Sequence, residues 1–210
     1  MKIVGIIPAR YESSRFPGKP LADIHGKSMI TRVVEQCNQA KTLHSTLVAT
    51  DDERILNHLR EQGLECVMTQ STHQSGTDRC HEALTHLPND IEGVVNIQGD
   101  EPFILPEQID QVAQLLIQGA EIATLVKPMT DMEKILDPNK VKVTLNHENK
   151  ALYFSRSPIP YIRGGETNKW MQKYHFYKHL GIYGYSKSAL RAIAHLDSST
   201  LEEAESLEQL

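Results

Sequence analysis

Short apolar runs alternate with helix-like segments through the first two thirds of the chain. The runs are rich in Val and Ile and apolar almost throughout, which is typical of strands buried on both faces of a sheet. They predict strands at residues 2–9, 45–51, 65–69, 93–99 and 121–129. A chain that places helices between such strands is expected to be an α/β protein.

Capping residues mark the helices between these strands. Ser28 is suited to cap a first helix, and Asp51 to cap a second that Gly63 stops. Pro106 opens a third helix, and Gly119 closes it. Because strands joined by helices make right-handed crossovers, the pattern predicts a three-layer fold with a mainly parallel sheet. Ligands of such sheets bind beyond the carboxyl ends of the strands.

The pattern changes near residue 140. A T-x-x-E capping box at 130–133 predicts a small helix before it. "KVKVTLN", "ALYFSRSPIPYIR" and "KHLGIYGYS" then read as strands of a small mixed or antiparallel extension, with a polar loop "RGGETNKWMQK" between them. We expect one domain over 1–210, with a core at 1–139, the extension at 140–186 and a return to the core at 187–210.

The charge and the cysteines narrow the function classes. The 210 residues carry a net charge of -5, so a broad basic surface for nucleic acid is not expected. Cys37, Cys66 and Cys80 show no C-x-x-C spacing and fall on apolar-periodic positions, which predicts buried thiols in a reducing compartment. The apolar run at the N-terminus stops at Pro8, too short for a signal peptide or membrane span. We expect a cytoplasmic protein without nucleic-acid or membrane partners.

The first candidate for chemistry is the loop after the first strand, "IIPARYESSRFPGKPL". It combines small residues with three cations: Arg10, Arg15 and Lys19. Backbone amides on a small-residue turn cradle phosphate oxygens, and cations neutralise the charge of a polyphosphate. The loop matches neither the P-loop nor the dinucleotide fingerprint. A solvated basic loop is the alternative.

The second candidate is "VVNIQGDEPF", where a buried strand runs directly into Asp100 and Glu101. A carboxylate at a strand end suits Mg²⁺, which usually takes one or two protein carboxylates and leaves other positions to water and phosphate. An acidic surface turn is the alternative, and it suffices for Glu101. Asp100 lies nearer the strand end and is the better metal candidate.

The third candidate is "QSGTDRCHEAL", which precedes and enters a short helix. Thr77 or Asp78 could simply cap that helix. Arg79 lies in the first helical turn, where a cation is unfavourable beside the helix dipole. This unusual position favours a ligand for Arg79.

The fourth candidate is "KHLGIYGY". His179 and Tyr183 are four residues apart in a strand and share one face, with Gly181 between them leaving room for a ligand. A structural histidine beside a half-buried tyrosine is the alternative.

Together these motifs resemble one family, the 3-deoxy-manno-octulosonate (KDO) cytidylyltransferases of Gram-negative bacteria. The matching words are "IIPARYESSRFPGKPL", "VATDDERI", "SGTDR", "NIQGDEP", "SRSPIPY", "HLGIYGY" and "LEQL". "PAR" with a downstream lysine also occurs in acylneuraminate cytidylyltransferases, whereas the combination of "SGTDR", "GDEP" and "HLGIYGY" is specific to the KDO branch. The resemblance implies a Rossmann-like nucleotidyltransferase sheet and a homodimeric enzyme of lipopolysaccharide synthesis.

The resemblance also implies the reaction. CTP and the eight-carbon acid sugar give CMP-sugar and pyrophosphate with Mg²⁺ as cofactor, and the anomeric hydroxyl attacks the α-phosphate in line. The implied catalytic residues are Lys19, Asp100 and Arg15, with Asp100 as metal ligand. The implied nucleotide-binding residues are Arg10, Ser13, Arg15, Lys19, Ser75, Thr77, Arg79 and Gln98. The implied sugar-binding residues are Arg156, His179, Tyr183, Glu208 and Gln209. The extension would bind the sugar and form the dimer contact.

One departure from the family concerns the end of the chain. Family members usually continue past "LEQL" to a "VDTPEDL"-like segment whose aspartate adds a second contact to the metal centre. This sequence ends at Leu210, so it lacks this ligand either because it is truncated or because the protein is a shortened variant, and an end within the helical segment "SLEQL" favours truncation. Two other functions stay open: transfer to another acid sugar, either 8-amino-KDO or an acylneuraminate, and nucleotide binding without catalysis.

Overall fold

The computed structural model describes residues 1–12, 16–164 and 166–210. Its strands are Ile3–Ala9 (β1), Asp23–Ile24 (β2), Lys27–Ser28 (β3), Ser45–Thr50 (β4), Cys66–Met68 (β5), Gly93–Asn96 (β6), Ile122–Pro128 (β7), Lys142–Leu145 (β8), Ala151–Ser155 (β9) and Tyr177–Ser186 (β10). Its α-helices are Met29–Cys37 (α1), Glu53–Glu61 (α2), Gly76–Thr85 (α3), Pro106–Ile117 (α4), Met132–Leu136 (α5), Trp170–Lys173 (α6), Lys187–Ile193 (α7) and Thr200–Glu205 (α8). The chain forms two compact units, residues 1–124 with 181–196 and residues 125–180 with 197–210.

The first unit contains the predicted parallel sheet. Its strands follow the order β5, β4, β1, β6, and each neighbouring pair of these is parallel. The C-terminal half of β10 pairs antiparallel with β6 and places Tyr183 opposite Asn96. The prediction of a mainly parallel α/β sheet is therefore confirmed.

Helices cover both faces of this sheet because successive residues of its strands point to opposite sides. Val4 and Ile6 of β1 pack in one cluster with Cys80 of α3 and Leu190 of α7. Helices α1 and α4 also contact the sheet. The glycine at position 184, between Tyr183 and Tyr185 of β10, would meet α4 if it carried a Cβ. The three-layer arrangement follows from this alternation.

Most helix boundaries agree with the caps read from the sequence. Ser28 accepts a hydrogen bond from the amide of Thr31 at the start of α1, and Pro106 is the first residue of α4. The prediction that Asp51 caps α2 was wrong, because Asp52 accepts the hydrogen bond from the amide of Arg54. The carboxylate of Asp51 is engaged elsewhere in the unit, as described below.

The second unit is built around antiparallel strands. Strand β8 pairs antiparallel with β9, and the N-terminal half of β10 pairs antiparallel with β8. The capping box at 130–133 was wrong, since Asp131 caps α5 by accepting from the amide of Glu133. The segment expected to be a polar loop instead contains α6, because Trp170 is buried against Ile135 and Phe176.

The cysteines follow the predicted pattern in two cases out of three. Cys37 and Cys80 are buried, and burial raises the pKa of Cys37 to about 12. Cys66 is only half-buried because its short strand, β5, lies at the edge of the sheet. Within the described residues, no helix combines the length and the apolar character needed to cross a membrane.

Candidate active site

A cleft opens where β1 ends and the chain leaves β6. It has a volume of about 580 Å³, and its lining includes Arg10, Lys19, Gln98 and Asp100. Two smaller clefts of about 190 and 360 Å³ adjoin it, since Arg10 lines all three. Clefts of roughly 300 to 1,000 Å³ are typical of small-molecule sites. The structure therefore brings together residues predicted from two separate motifs at the carboxyl edge of the sheet.

The loop after β1 is closed by a contact between its two ends. Gly18 donates its amide hydrogen to the carbonyl of Tyr11 over 2.8 Å, in the left-handed conformation with φ of 71°. A Cβ at this position would lie 3.0 Å from the Tyr11 ring, so only glycine fits. Arg54 covers the ring with its guanidinium carbon 3.3 Å from the ring centroid. Ser13 and Arg15, both predicted to bind the nucleotide, lie outside the described residues.

Lys19 and Asp100 form an ion pair within the cleft of about 580 Å³. The Lys19 side chain is 35% exposed and the Asp100 side chain 51% exposed, so both charges are open to a ligand. Gly99 precedes Asp100 and approaches β1 closely, since a Cβ there would lie 2.9 Å from the carbonyl oxygen of Pro8. This close approach brings the acidic turn at Asp100 next to the cationic loop that contains Lys19.

The exposed carboxylate of Asp100 is a candidate ligand for Mg²⁺. Among residues 1–12, 16–164 and 166–210, no three side chains of His, Cys, Asp or Glu are grouped so as to hold a metal ion. Mg²⁺ bound together with substrate phosphates needs only one or two protein carboxylates. The carboxylate of Asp100, which already pairs with the ammonium group of Lys19, provides one such ligand. The residues present therefore fit Mg²⁺.

The Ser75–Gly76 turn lines the smallest cleft at the start of α3. Ser75 caps the helix by accepting from the amide of Asp78, and Asp78 accepts from the amide of Ser75, over 3.0 and 3.2 Å. Asp78 thus belongs to the helix cap, as one interpretation of the sequence held. Thr77 is only 3% exposed, and its contact with a nucleotide stays a prediction.

Arg79 is explained by a partner within the protein. Its side chain is 4% exposed, and it donates to Asp51 over 2.7 Å and to the hydroxyl of Thr69 over 2.6 Å. The ion pair with Asp51 accounts for a cation in the first turn of a helix. Arg79 also lines two of the clefts, so it joins the helix cap, the end of β4 and the candidate site.

In the second unit, Arg156 follows directly after β9 and makes several internal bonds. Its guanidinium donates to the carbonyl oxygens of Pro138, Glu205 and Ser206 over 3.2, 2.6 and 3.1 Å. A guanidinium has five N–H donors. Within the described residues, the three bonds named here use three of these donors, and the other two are suited to a ligand carboxylate.

His179 is 7% exposed and packs edge-on against Phe154 at 5.0 Å. Burial lowers the pKa of His179 to about 4, so its imidazole is neutral at pH 7. Phe154 belongs to the same apolar cluster as Leu207, the residue before Glu208 and Gln209. The second unit therefore gathers four of the five predicted sugar-binding residues. Tyr183, the fifth, belongs to the first unit, where its ring stacks on Tyr185 at 6.1 Å.

Several residues of the site were missed by sequence reasoning. Asp51 and Arg54 belong to the word "VATDDERI", which matched the family, but their partners lie far away in sequence. His73 pairs with Glu82 beside the clefts, and no pattern of spacing marks this pair. The only available signal was the position of Asp51 directly after a buried strand.

A loop with cationic side chains and an acidic turn at adjacent strand ends of a parallel sheet are suited to a nucleotidyltransferase. The sequence profile of the cytidylyltransferase family matches residues 4–210, and the chain belongs to this family.

The relatives carry a more specific name. The chain is 53% identical to a 3-deoxy-manno-octulosonate cytidylyltransferase of Parabacteroides distasonis, over 100% of this chain and 85% of that protein. It is 47% identical to the protein of the same name from Cytophaga hutchinsonii, over 100% of this chain and 84% of that protein. A solved structure of CMP:2-keto-3-deoxy-manno-octonic acid synthetase complexed with CTP superimposes with a TM-score of 0.92 at 41% identity, over 100% of this chain and 84% of that one.

Proposed function

We propose that this protein transfers CMP from CTP to the anomeric hydroxyl of KDO and releases pyrophosphate, which activates the sugar for lipopolysaccharide synthesis. The observation that carries the proposal is the cleft in which Lys19 and Asp100 meet beside Arg10. The relatives' names and the CTP complex of the similar structure support the choice of substrates.

Positioning and charge supply the catalysis in this proposal. Arg10 and Lys19 would hold the triphosphate, and the ammonium group of Lys19 would balance the negative charge that grows on the departing pyrophosphate. The oxygen of the anomeric hydroxyl bonds to the α-phosphorus as the bond between that phosphorus and the pyrophosphate oxygen breaks, and the hydroxyl proton is released to water. Phosphoryl-type transfer of this kind needs no covalent nucleophile from the protein.

Mg²⁺ is the proposed cofactor, and Asp100 would hold it. When bound, the ion supplies positive charge to the phosphate oxygens. Lys19 then has a phosphate oxygen available in place of the carboxylate that it contacts here.

The acid sugar would be bound by Arg156, His179, Tyr183, Glu208 and Gln209. The two further guanidinium hydrogens of Arg156 suit the carboxylate of the sugar. The neutral imidazole of His179 is suited to a hydroxyl, because it offers one donor and one acceptor.

Assembly and location complete the proposal. We place the protein in the cytoplasm as a homodimer. A reducing compartment agrees with its three free cysteines, and the family resemblance suggests the dimer.

A substrate panel tests the function. The protein is incubated with CTP, Mg²⁺ and KDO, 8-amino-KDO or a sialic acid, and pyrophosphate release is measured. We expect release with KDO and its loss when EDTA removes the metal. Faster release with either other sugar would reassign the substrate, and CTP binding without release for all three would indicate a non-catalytic nucleotide-binding protein.

A further inference from the structure

The C-terminal segment of the second unit is held by Glu205, which the proposed reaction does not use, and by Arg156, one of the proposed sugar-binding residues. Glu205 is the last residue of α8. Its carboxylate accepts from the hydroxyl of Ser155 over 2.5 Å and from the amide of Arg156 over 2.9 Å, one bond to each oxygen. The serine bond and the amide bond keep the pKa of Glu205 below its usual value. An ionised carboxylate thus ties the helix to the end of β9.

The side chain of Arg156 also donates two hydrogen bonds to carbonyl groups at the end of α8. Its Nε and Nη2 donate to the carbonyls of Glu205 and Ser206. The last carbonyls of a helix have no partner within it, and a cation is favourable there. We call Ser155, Arg156 and Glu205 the C-terminal clamp.

A buried cation also holds the backbone of the clamp. Lys142 is fully buried, and its ammonium group donates to the carbonyls of Asp137 and Arg156. Burial lowers the pKa of Lys142. The backbone of Arg156 is therefore fixed at both polar groups, its amide by Glu205 and its carbonyl by Lys142.

The backbone reverses directly after the clamp. Ser206 adopts the left-handed conformation with φ of 50° and ψ of 53°, which is unfavourable for a residue other than glycine. The bond from Arg156 to its carbonyl stabilises this conformation. Leu207 then enters the apolar cluster with Val143 and Phe154, and Glu208 and Gln209 follow at once.

We propose that Glu205 is a positioning residue that sets the direction of Glu208 and Gln209 toward the sugar. Glu205 does not itself touch the substrate in this proposal. The inference rests on the proposed function, because the sugar-binding role of Glu208 and Gln209 is part of that function.

Steady-state kinetics of the 210-residue protein test the inference. We expect Glu205→Ala to raise the KM for KDO about tenfold, or about 1.4 kcal/mol, and to leave the KM for CTP within about twofold. Glu205→Gln retains an acceptor for the amide of Arg156, so a smaller rise is expected. Glu203→Ala is the control, since Glu203 lies exposed on the same helix.

Amide hydrogen exchange gives a second measurement that does not depend on activity. The amide of Leu207 donates to the carbonyl of Glu202, so it reports the order of this segment. We expect faster exchange in residues 206–210 of Glu205→Ala than in Glu203→Ala. Equal exchange in both variants would overturn the clamp.

Other results of these experiments distinguish failure of the positioning role from failure of the proposed function. Faster exchange with an unchanged KM for KDO would overturn the positioning role. If Glu205→Ala does not fold, Glu205→Gln and Ser155→Ala take its place, and an unchanged KM for KDO in both would overturn it as well. If the unaltered protein releases no pyrophosphate with any acid sugar, the proposed function fails and the positioning role fails with it.

Discussion

The two units hold their candidate site residues by different physical means. In the first unit, Arg10 and Asp100 follow the ends of neighbouring parallel strands, and the register of the sheet brings them together. In the second unit, Arg156 and the segment after α8 meet through bonds between residues about fifty positions apart. Backbone topology determines the first arrangement, whereas individual side chains determine the second. Substitutions in the two units should therefore differ in their effects on catalysis and on the positions of the site residues.

The largest effect is expected in the first unit, from Lys19→Ala and Asp100→Ala. Loss of one charge-stabilising contact in a transition state typically costs about 3 to 4 kcal/mol, or roughly 100- to 1,000-fold in rate. Pyrophosphate release from CTP and KDO measures the effect. The protein should remain folded, because exposed ion pairs contribute at most about 1 kcal/mol to stability.

Lys27→Ala is the matched control, since Lys27 pairs with Glu35 on the surface. Its turnover should equal that of the unaltered protein. Near-normal turnover of the Lys19 or Asp100 variant would remove the role given to that residue.

A slightly smaller effect is expected on stability from Asp51→Ala. This variant leaves the buried guanidinium of Arg79 without its carboxylate, which should lower the free energy of unfolding by about 3 kcal/mol. Urea unfolding measures the change. Asp52→Ala removes the cap of α2 and a surface ion pair with Arg54, and should cost about 1 kcal/mol. Equal losses in these adjacent variants would contradict a special role for the buried pair.

The second unit is expected to respond to pH through His179. Its pKa falls from the ordinary 6.5 to about 4 on folding, so the unfolded chain binds more protons between these values. The contribution of His179 to the free energy of unfolding is full above pH 6.5. It falls by about 2 to 3 kcal/mol as the pH is lowered toward 4.

Urea unfolding at pH 7.5 and pH 5 tests this dependence. His179→Leu should be less sensitive to acid than the unaltered protein, since leucine binds no proton. The same slope with pH in both proteins would show that other groups are responsible.

The smallest effect is expected from Arg54→Ala in the first unit. Arg54 is exposed and covers Tyr11, which packs on Gly18 in the loop. Loss of an exposed cation–π contact should raise the KM for CTP by about two- to fivefold. A change of a hundredfold would indicate direct contact between Arg54 and the nucleotide. Arg60→Ala, farther along the same helix, serves as the comparison.

The hydrophobic pattern was sufficient for much of the fold. Strand β1 is buried on both faces, as its continuous apolar run predicted, and Ser28 and Pro106 begin helices where their chemistry suggested. The pattern failed where one side chain outweighed its neighbours. The segment predicted to be a polar loop forms a helix in which Trp170 is buried. Lys142 is buried although its segment alternates between polar and apolar residues.

Sequence reasoning about Arg79 shows a different limit. Its unfavourable place in a helix was recognised, but the ion pair with Asp51 that compensates its charge within the protein was not predicted. A sequence shows that a charge requires compensation. It does not show which of many distant groups supplies it.

The sequence by itself determined the parallel sheet, the cationic loop after β1 and the acidic turn after β6, because local periodicity and strand order carry this information. Only the tertiary structure decided that Asp51 pairs with Arg79, that Lys19 meets Asp100 and that Glu205 ties α8 to β9. These contacts join residues separated by between 28 and 81 positions. Their geometry depends on how complete elements pack, which no local pattern records.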